Sequence, residues 1–423
     1  MKKIAIVGFG CAGYSAAKAI RQTNMDVSID VFEAGGEAPA NPMLTTYYAS
    51  GKIKKEGAYP FGNLEKIVKE LNVTFHSQSK VIHVDALEKK LILENGERKV
   101  YDKILISTGA HAFLPPLPGL PDERVFLMRT MEDAEKVKAR VASGAVKKAV
   151  VVGASMVGIK VAELLWKEGI HTTLVDAAPH IFPLAAFEPV AREIEQRLER
   201  KGYHFKWNAG AKEITATGIA FADGSALEAD FICMCIGTRA NVELVANVDL
   251  VQGQPIQINK GIVVDKQMKT NCSDIYAAGD CCEGYNLQSG ETMIIGLWAN
   301  AGDQGETAGK NMVGVFSEYT GNIIHNITHF MGMDFIGLGD NRLSGEVIHY
   351  GNLSDEEGTY IQAVFAENRI QCVNILGNHH ISGIVKGILM KQLVGEDMQL
   401  SSVQKAMLLK EGIPLAFIEK IGG

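Results

Sequence analysis

The sequence predicts an α/β protein that contains two Rossmann-like domains, and three observations support this fold class. Two stretches, which begin at Ile4 and Val150, each run from a short apolar strand through a glycine-containing turn into a helix. Each helix is followed by a second strand that ends in a carboxylate, Glu33 or Asp176. The length of 423 residues exceeds one ordinary hydrophobic core and fits two or three domains.

The composition predicts a soluble globular enzyme. A hydrophobic fraction of 47% and a charged fraction of 22% favour neither disorder nor a membrane protein. The net charge of −7 removes the usual electrostatic basis for binding nucleic acid. Seven cysteines without Cys-x-x-Cys spacing favour a reducing cytoplasm, and the N-terminus is typical of a buried strand rather than a secretory signal.

The first strand–turn–helix unit predicts a dinucleotide site. Its strand, 4–7, leads into the turn Gly8-Phe9-Gly10-Cys11-Ala12-Gly13 and a helix over 14–20. Gly8 permits the tight turn, Gly10 allows the backbone to approach a pyrophosphate, and Gly13 allows the helix to pack on the strand. A second strand over 27–32 places Glu33 twenty residues after Gly13, where a carboxylate can accept hydrogen bonds from a ribose.

The second unit repeats this pattern with one change. Its strand ends at Val152, its turn reads Gly153-Ala154-Ser155-Met156-Val157-Gly158, and a helix over 159–168 precedes a strand that ends in Asp176. Ser155 replaces the middle glycine, and it is small enough for close backbone approach. Asp176 would repel a 2′-phosphate, which favours NADH over NADPH. The alternative is a βαβ unit that is retained only for packing.

Further motifs resemble those of the pyridine nucleotide-disulfide oxidoreductase superfamily, over nearly the whole chain. The segments 104–110 and 274–280 resemble the two other strand–turn signatures of its flavoprotein reductases, and 233–241 resembles the strand that closes the NAD domain. The resemblance implies that Asp280 hydrogen-bonds the ribitol and phosphate region of FAD and that Thr108-Gly109 packs near the flavin. It also implies that Gly237 borders the nicotinamide.

The same resemblance implies a domain order and a helix beneath the flavin. Trp298 begins a helix whose dipole could stabilise reduced, anionic flavin. Strands over 360–365 and 369–377 fit an α+β C-terminal interface domain, for which a homodimer is the family default. The predicted segments are an FAD-binding domain in two parts (1–113 and 241–325), an NAD-binding domain (114–240) and the interface domain (326–423).

The glycine motifs, the strand-end acids and the resemblance together assign the site residues as two sets. The set for FAD is Gly8, Gly10, Cys11, Ala12, Gly13, Glu33, Pro42, Thr45, Val81, Thr108, Gly109, Gly279, Asp280 and Trp298. The set for NAD is Gly153, Ser155, Met156, Val157, Gly158, Asp176 and Gly237.

The chain departs from many members of the superfamily at residue 42. Relatives that use a protein thiol carry a flavin-facing cysteine in the segment that corresponds to 40–48, whereas this chain has Pro42. No thiolate nucleophile can exist there. The segment resembles the cysteine-lacking branch, which includes rubredoxin and ferredoxin reductases, nitrite-reductase-type flavin domains and NADH:acceptor flavin subunits.

Lys160 is a second departure, because many relatives place a carboxylate at this position near the nicotinamide. A helix-surface lysine is about as well supported as a contact to the nucleotide or to an acidic partner. Lys160 is therefore only a candidate gate residue.

The cysteines and the histidine pair favour structural roles. Cys233 and Cys235 share one face of a strand, so core packing is the better interpretation. Cys281 and Cys282 follow Asp280, and a redox role for them is a minority interpretation because adjacent cysteines rarely form a bridge. The pair at 379–380 is expected in a surface loop, without metal-ligand spacing.

The resulting hypothesis is an FAD-dependent NAD(P)H:acceptor oxidoreductase. NADH passes hydride to the flavin, and the electrons go to a rubredoxin, a ferredoxin, an iron–sulfur subunit or a small acceptor, or they flow in reverse. One alternative is an NADH oxidase, peroxidase or CoA-disulfide-type reductase with a nonstandard cysteine at 11, 281 or 282. A second alternative, which is not an enzyme, is a flavin-based NADH sensor.

Overall fold

The computed structural model describes residues 2–246, 255–367, 369–395 and 400–422. Residues 247–254 of the predicted segment 241–325, and residues 368, 396–399 and 423 of the predicted segment 326–423, lie outside the described residues. The chain divides into two compact units. Unit 1 comprises Met1–Ala112, Arg129–Ala134 and Thr238–Asn322, and unit 2 comprises Phe113–Met128, Glu135–Gly237 and Ile323–Gly423.

The strands are numbered along the chain. They are β1 (Lys3–Val7), β2 (Ser28–Phe32), β3 (Thr74–His76), β4 (Val81–Asp85), β5 (Lys90–Leu93), β6 (Arg98–Val100), β7 (Lys103–Ile106), β8 (Ala110–Ala112), β9 (Val125–Phe126), β10 (Lys148–Val152), β11 (His171–Val175), β12 (His204–Lys206), β13 (Ala211–Thr215), β14 (Gly218–Phe221), β15 (Ala226–Glu228), β16 (Phe231–Met234), β17 (Thr238–Ala240), β18 (Ile262–Val263), β19 (Ile275–Ala277), β20 (Cys282–Tyr285), β21 (Thr292–Met293), β22 (His325–Phe330), β23 (Met333–Gly339), β24 (Glu346–Tyr350), β25 (Tyr360–Ala366) and β26 (Arg369–Leu376).

The α-helices are numbered in the same way, and two short 3₁₀ helices span Pro42–Leu44 and Lys55–Ala58. The α-helices are α1 (Cys11–Thr23), α2 (Thr45–Ala49), α3 (Leu64–Leu71), α4 (Met131–Ala142), α5 (Met156–Lys167), α6 (Glu188–Arg200), α7 (Glu243–Ala246), α8 (Trp298–Met312), α9 (Ser382–Leu393), α10 (Ser402–Lys410) and α11 (Leu415–Gly422).

Unit 1 is built on a parallel five-stranded sheet with the order β19-β7-β1-β2-β3. The central strand β1 is apolar, and Ile4, Ala5 and Ile6 are completely buried. Burial on both faces is typical of a parallel sheet covered by helices. The unit also contains the sheets β4-β5-β6 and β18-β20-β21 and the pair β8-β17.

Helices α1 and α8 pack closely in unit 1, since glycines form the contact. An added Cβ at Gly305 would overlap the backbone of Ala12, and one at Gly309 would crowd the backbone of Ala16. This packing brings the N-termini of both helices to the edge of the sheet that carries the first glycine turn.

Unit 2 contains a second parallel sheet with the order β12-β11-β10-β16-β9, and a small antiparallel sheet, β13-β14-β15. Its C-terminal part is the antiparallel sheet β22-β23-β26-β25-β24, followed by α9, α10 and α11. The two parts share buried contacts, because the Phe182 ring packs on Phe330 and Phe335. Arg197 also donates to the Leu353 carbonyl at 2.6 Å.

The predicted mixed α/β architecture with parallel sheets and a C-terminal α+β part is confirmed. Both motif helices begin three residues earlier than predicted, at Cys11 and Met156, because Gly10 and Ser155 are their N-caps. Among the described residues, no helix combines the length and the apolarity that crossing a bilayer requires.

Candidate functional site

The first glycine turn, in unit 1, leaves room for a ligand at one position and none at two others. A Cβ on Gly8, whose φ is +94°, would overlap the Ser107 carbonyl, and a Cβ on Gly13 would overlap the carbonyl of Gly8. By contrast, no atom lies within 4 Å of the Cβ position at Gly10. Gly10 caps α1 without a side chain, so the open N-terminus can receive a phosphate.

Glu33 is fixed against this turn by backbone hydrogen bonds. Its Oε2 accepts from the amide of Phe9 at 2.6 Å, and its Oε1 accepts from the amide of Gly35 at 3.3 Å. A carboxylate oxygen has more than one lone pair, so the group can still accept from ribose hydroxyls. The turn and the carboxylate together fit the ribose and pyrophosphate of a dinucleotide.

The Thr108-Gly109 turn is joined to Asn241 by three hydrogen bonds. Thr108 Oγ1 donates to the Asn241 carbonyl at 2.7 Å, Asn241 Nδ2 donates to the Thr108 carbonyl at 2.8 Å, and the amide of Asn241 donates to the carbonyl of Gly109 at 2.9 Å. This reciprocal arrangement holds the turn that follows β7. Asn241 belongs to the segment 233–241, but no local sequence pattern indicates this role for it.

Asp280 has a cationic partner that sequence analysis missed. Arg129 Nη2 donates to Asp280 Oδ2 at 2.6 Å, and Arg129 Nε donates to the carbonyl of Ala110 at 3.3 Å. The two residues are 151 positions apart, so no local pattern could indicate the pair. Gly279, with φ +85°, lies against Ala12 and Ala301, which places Asp280 at the junction of α1 and α8.

Helix α8 begins at Trp298 beside this junction. Its N-cap, Leu297, makes no side-chain hydrogen bond to the first turn. Trp298 stacks at 5.6 Å on Phe61, which stacks at 3.8 Å on Tyr14 of α1. The first turn of α8 can therefore present backbone N–H groups to a flavin, as the resemblance implies.

The segment that lacks a cysteine forms a capped 3₁₀ turn. Pro42 is its first residue, and the side chain of Asn41 accepts from the amide of Met43 at 3.0 Å. Thr45 is buried, and its hydroxyl donates to the carbonyl of Pro42 at 2.8 Å. Val81, at the start of β4, is also buried in unit 1.

The second glycine turn, in unit 2, repeats the geometry of the first. Gly153 has φ +108°, and an added Cβ there would overlap the Cys235 carbonyl, whereas one at Gly158 would overlap the carbonyl of Gly153. Ser155 caps α5, because its hydroxyl accepts from the amide of Gly158 at 3.2 Å and donates to the carbonyl of Cys235 at 3.1 Å. The hydroxyl is therefore used within the fold.

Backbone amides bind both oxygens of the Asp176 carboxylate, as they do for Glu33 in unit 1. Its Oδ2 accepts from the amide of Ala154 at 2.7 Å, and its Oδ1 accepts from the amide of Ala178 at 2.8 Å. Met156 and Val157 form the first turn of α5, and Gly237 has φ +99° with open space around its Cβ position. These residues lie at the carboxyl ends of β10, β11 and β16, where parallel sheets bind nucleotides.

Lys160 lies in the interior of unit 2, so it is not the helix-surface lysine that was one expectation. Its side chain is 7% exposed, and Nζ lies 3.0 Å from Glu163 Oε2 and donates to the His329 carbonyl at 2.5 Å. Glu163 also accepts from Lys167 at 2.9 Å and from the Met331 amide at 3.3 Å. These bonds attach α5 to the tip of the β22–β23 hairpin.

The candidate redox cysteines are buried thiols. Burial raises the pKa of Cys11 to about 11, and burial also raises the pKa of Cys281 and of Cys282. The sulfurs of the latter two donate to backbone carbonyls, those of Ala278 and Gly279 respectively. A nucleophilic thiol needs a lowered pKa and access, and these three have neither.

The histidine pair at 379–380 has a carboxylate partner. His379 Nδ1 lies 2.7 Å from Asp334 Oδ2, and His329 Nδ1 lies 2.6 Å from Asp334 Oδ1. Burial acts to raise the pKa of Asp334, but hydrogen bonds from His379 and His329 outweigh it, and the net shift is downward. Over the described residues, no group of three or more His, Cys, Asp or Glu side chains could hold a metal ion.

Comparison with known proteins gives one family and several relatives. The model of the family described as pyridine nucleotide-disulphide oxidoreductase matches residues 2–305. The chain is 29% identical over 321 residues to an NADH oxidase of Methanocaldococcus jannaschii, covering 74% of this chain and 70% of that protein. It is also 29% identical over 377 residues to the epsilon subunit of an NADH-dependent phenylglyoxylate dehydrogenase of Aromatoleum evansii, covering 86% and 85%.

A third relative is much longer than this chain. A nitrite reductase [NAD(P)H] of Bacillus subtilis is 26% identical over 412 residues, which cover 95% of this chain but 49% of that protein. The chain thus spans about half the length of this relative.

Solved structures share the fold over nearly the full length. The covalent putidaredoxin reductase–putidaredoxin complex has a TM-score of 0.85 at 20% identity and covers 100% of this chain and 99% of its own. The water-forming NADH oxidase of Lactobacillus brevis bound to NADH also has a TM-score of 0.85, at 21% identity, with coverage of 97% and 99%. At these identities the likeness shows the fold, with two dinucleotide-binding domains and a C-terminal domain.

Proposed function

The chain belongs to the pyridine nucleotide-disulphide oxidoreductase family, and from this premise we propose that it transfers electrons between NAD(H) and a separate acceptor without a protein disulfide. The family uses FAD, so the enzyme is an FAD-dependent, NAD(P)H-linked oxidoreductase. When bound, FAD supplies the chemistry of accepting a hydride from NADH and releasing electrons to an acceptor.

The proposal depends on one observation, which is that both units contain the same arrangement. In each unit a backbone amide of the glycine turn donates to a carboxylate at the end of the next strand, and we call this arrangement the carboxylate clamp. In unit 1 the Phe9 amide donates to Glu33, and in unit 2 the Ala154 amide donates to Asp176. Each clamp stands beside a glycine turn at the start of a helix, which is the arrangement that binds a dinucleotide. We assign the first clamp to FAD and the second to NADH.

The remaining residues position the cofactors in this proposal. Gly10 and the first turn of α1 would bind the FAD pyrophosphate, Asp280, held by Arg129, would bind the ribitol, and the first turn of α8 would offer its N–H groups to the flavin. In unit 2, the amides of the α5 N-terminus bind the NADH pyrophosphate, and Gly237 leaves space for the nicotinamide. In this proposal, none of the side chains that the structure describes acts as a nucleophile.

The domain boundaries stay as proposed from the sequence. Residues 1–113 and 241–325 form the FAD-binding domain, 114–240 form the NAD-binding domain, and 326–423 form the interface domain. A homodimer or a subunit of a larger complex is the proposed assembly, and the relative named as an epsilon subunit supports the second form. Seven free cysteines support a reducing compartment such as the cytoplasm.

The proposed acceptor is a one-electron carrier protein of the rubredoxin, ferredoxin or iron–sulfur subunit type. Pro42 stands where a redox cysteine would be needed, and the candidate cysteines 11, 281 and 282 are buried. A small molecule such as oxygen is the second candidate, which the relative named NADH oxidase favours. Disulfide reduction through cysteine is disfavoured, because no activated thiol lies among these three.

Anaerobic stopped-flow mixing tests the proposal. The purified flavoprotein is mixed with NADH and, separately, with NADPH, and then with rubredoxin, ferredoxin, a disulfide, peroxide or oxygen. We expect faster flavin reduction by NADH and rapid reoxidation by an iron–sulfur carrier. Reoxidation of the flavin that requires a disulfide or a peroxide would contradict the proposed function. Slow reduction of the flavin by NADH, with no acceptor that reoxidises it, would favour the alternative of a flavin-based NADH sensor.

A further inference from the structure

A loop of unit 2, residues 181–187, contacts both the second glycine turn and the C-terminal sheet. Its second residue, Phe182, is 1% exposed and has φ +52°, in the left-handed region that a bulky residue rarely adopts. The Phe182 ring stacks on Phe335 at 5.1 Å and packs edge-on against Phe330 at 5.5 Å. Such a conformation persists only where its surroundings fix it, and it is typical of functional sites. The contacts that fix Phe182 are therefore candidates for a functional role.

On one side, the 181–187 loop is joined to the second glycine turn. The amide of Phe182 donates to the carbonyl of Ala154 at 3.0 Å. Ala154 is completely buried, and its own amide donates to Asp176 Oδ2 at 2.7 Å, which is the carboxylate clamp of unit 2. A displacement of the loop would therefore remove a hydrogen bond from the residue that binds the Asp176 carboxylate.

On the other side, the loop is held by Asn374 of β26, which is completely buried. Its Oδ1 accepts from the amide of Phe187, the N-cap of α6, at 2.7 Å, and its Nδ2 donates to the carbonyl of Ala185 at 2.9 Å. Loss of this side chain would be costly, because both backbone groups would lose a buried partner. Asn374 lies 187 and 189 positions from these partners, so no local sequence pattern indicates the contact.

Two further contacts attach the loop to the same sheet. Asn341, which follows β23, donates through Nδ2 to the carbonyls of Pro183 at 3.2 Å and of Ala186 at 2.9 Å. An added Cβ at Gly337 of β23 would overlap the carbonyl of Ala185. Both contacts involve the backbone of the loop. The C-terminal sheet therefore fixes the loop backbone at several points.

We propose that Asn374 is a positioning residue for NAD(H), which acts on the dinucleotide through the 181–187 loop. Asn374 holds the loop, the loop holds Ala154, and Ala154 presents its amide to Asp176. An ordered turn binds its ligand more tightly, because less conformational freedom is lost on binding. This inference rests on the proposed NADH site of unit 2, and it adds that a residue of the C-terminal sheet contributes to the affinity of that site.

Calorimetry with NAD⁺ on the purified, FAD-containing protein tests this inference. NAD⁺ is the probe because it does not reduce the oxidised flavin. In Asn374→Leu, whose side chain has nearly the same size, the Phe187 amide and the Ala185 carbonyl lose their partner. We expect the dissociation constant of NAD⁺ to rise about tenfold, which corresponds to about 1.4 kcal/mol. The FAD content per chain should not change, because FAD is assigned to unit 1.

The matched control is Gln362→Leu. Gln362 of β25 lies opposite Asn374 in the sheet and is 6% exposed, and its side chain accepts from the Tyr360 hydroxyl at 3.4 Å. Among the described residues, this side chain makes no hydrogen bond to the 181–187 loop. Because the variant removes a similarly buried amide without releasing the loop, it should leave the NAD⁺ affinity unchanged.

Asn341→Ala is a milder variant, because Asn341 is only partly buried. It should fold like the natural chain and raise the dissociation constant of NAD⁺ about threefold. Stopped-flow reduction gives an independent measurement. In Asn374→Leu the NADH concentration at half-maximal rate should rise about tenfold, whereas the limiting rate of flavin reduction should change little. A loss of stability alone would not change the first quantity in the folded protein.

The inference is overturned if both loop variants, Asn374→Leu and Asn341→Ala, bind NAD⁺ as the natural chain does. It is equally overturned if Gln362→Leu weakens NAD⁺ binding as much as Asn374→Leu, since this would show a general effect of the sheet. Failure of the natural chain to bind NAD⁺ would instead contradict the proposed NADH site itself. The two kinds of failure are therefore distinguishable.

Discussion

At the scale of single residues, the carboxylates at the ends of β2 and β11 are each held by backbone amides. Asp176 accepts two such bonds, from Ala154 and Ala178. Because amides fix both of its oxygens, we expect the carboxylate to be positioned for a ribose diol before any ligand binds and its charge to oppose a 2′-phosphate.

The double substitution Asp176→Ala with Ala177→Arg should reverse the nucleotide preference. Removal of a charged hydrogen-bond acceptor costs about 1.5–3 kcal/mol, so we expect kcat/KM for NADH to fall about 10- to 100-fold while that for NADPH rises. Steady-state kinetics with both nucleotides measures this. The control Asp223→Ala removes an exposed carboxylate of unit 2 and should change neither value. An unchanged NADH preference would refute the assignment of the second clamp.

Lys160 is the site candidate for which the observed contacts differ most from the contacts that the sequence predicts. Its buried ion pair with Glu163 and its bond to the His329 carbonyl join α5 to the β22–β23 hairpin. Loss of Lys160 would remove the buried cationic partner of Glu163 and leave the partly exposed Lys167 beside this carboxylate. We therefore expect Lys160 to act on stability rather than on the nucleotide.

We expect Lys160→Ala to lower the free energy of unfolding by about 3 kcal/mol. Lys167→Ala should cost less than about 1 kcal/mol, since this partner of the same Glu163 is 46% exposed. Urea unfolding of the two variants gives the comparison, and NADH kinetics on the folded fraction should show nearly unchanged KM. A large rise in KM without loss of stability would instead make Lys160 a nucleotide contact.

At the scale of elements, the contact of α8 with α1 decides where the first turn of α8 lies. The contact depends on glycines, because the backbone of Ala12 occupies the space that a side chain at position 305 would need. The position of Trp298 and of the α8 N-terminus therefore follows from helix packing.

Gly305→Ala should separate the two helices and weaken FAD retention. Overpacking of this kind costs about 1–3 kcal/mol. The matched control is Gly387→Ala in α9, where no atom lies within 4 Å of the Cβ position and the substitution should stabilise by about 0.5–1 kcal/mol. Flavin absorbance per chain after gel filtration, with thermal melting, measures both. Equal FAD content in the two variants would contradict this account of the packing.

His325, the first residue of β22, makes the stability of unit 2 depend on pH. Burial lowers the pKa of His325 from 6.5 to about 4, and the charge of Lys386 acts in the same direction. As the pH falls below about 6.5, the unfolded chain takes up this proton before the folded chain does. The stability contributed by the neutral ring is therefore complete above that pH and is lost as the pH falls toward the folded-state pKa.

Urea unfolding near pH 7 and near pH 5 should show this loss in the natural chain, and a smaller one in His325→Gln. His171→Gln, at an exposed position of unit 2, should leave the pH dependence unchanged. Identical pH slopes for the His325 variant and the natural chain would show that another group is responsible.

At the scale of the whole molecule, the cysteines differ in their exposure to solvent. Six of the seven cysteines are buried, and Cys272 is partly exposed. All seven positions lie within the described residues. A bulky thiol reagent should therefore meet one reactive position in the native protein.

Native treatment with a maleimide should label Cys272 and leave NADH-dependent turnover unchanged. Peptide mapping and a parallel activity assay measure the two quantities, and Cys272→Ser should abolish the labelling without loss of turnover. Labelling of Cys281 or Cys282 that inactivates the enzyme would restore the alternative of a nonstandard redox cysteine.

Much of this architecture could be predicted because its signals are local. The glycine turns, the strand-end carboxylates and the start of α8 all lie in short segments. The backbone conformation of each segment favours particular residue types, so the local sequence indicates it. Both helices begin three residues earlier than the sequence predicts, because the last three residues of each glycine motif form the start of the helix rather than part of the loop.

The sequence by itself determined the two dinucleotide turns, their paired acids and the absence of a cysteine at residue 42. Only the tertiary structure decided that Arg129 pairs with Asp280 and that Lys160 donates to the His329 carbonyl, because these partners lie 151 and 169 positions away. The tertiary structure also decided the burial of the cysteines, which raises the pKa of the Cys11, Cys281 and Cys282 thiols. Contacts of this range depend on how sheets and helices pack, and no local residue pattern encodes that packing.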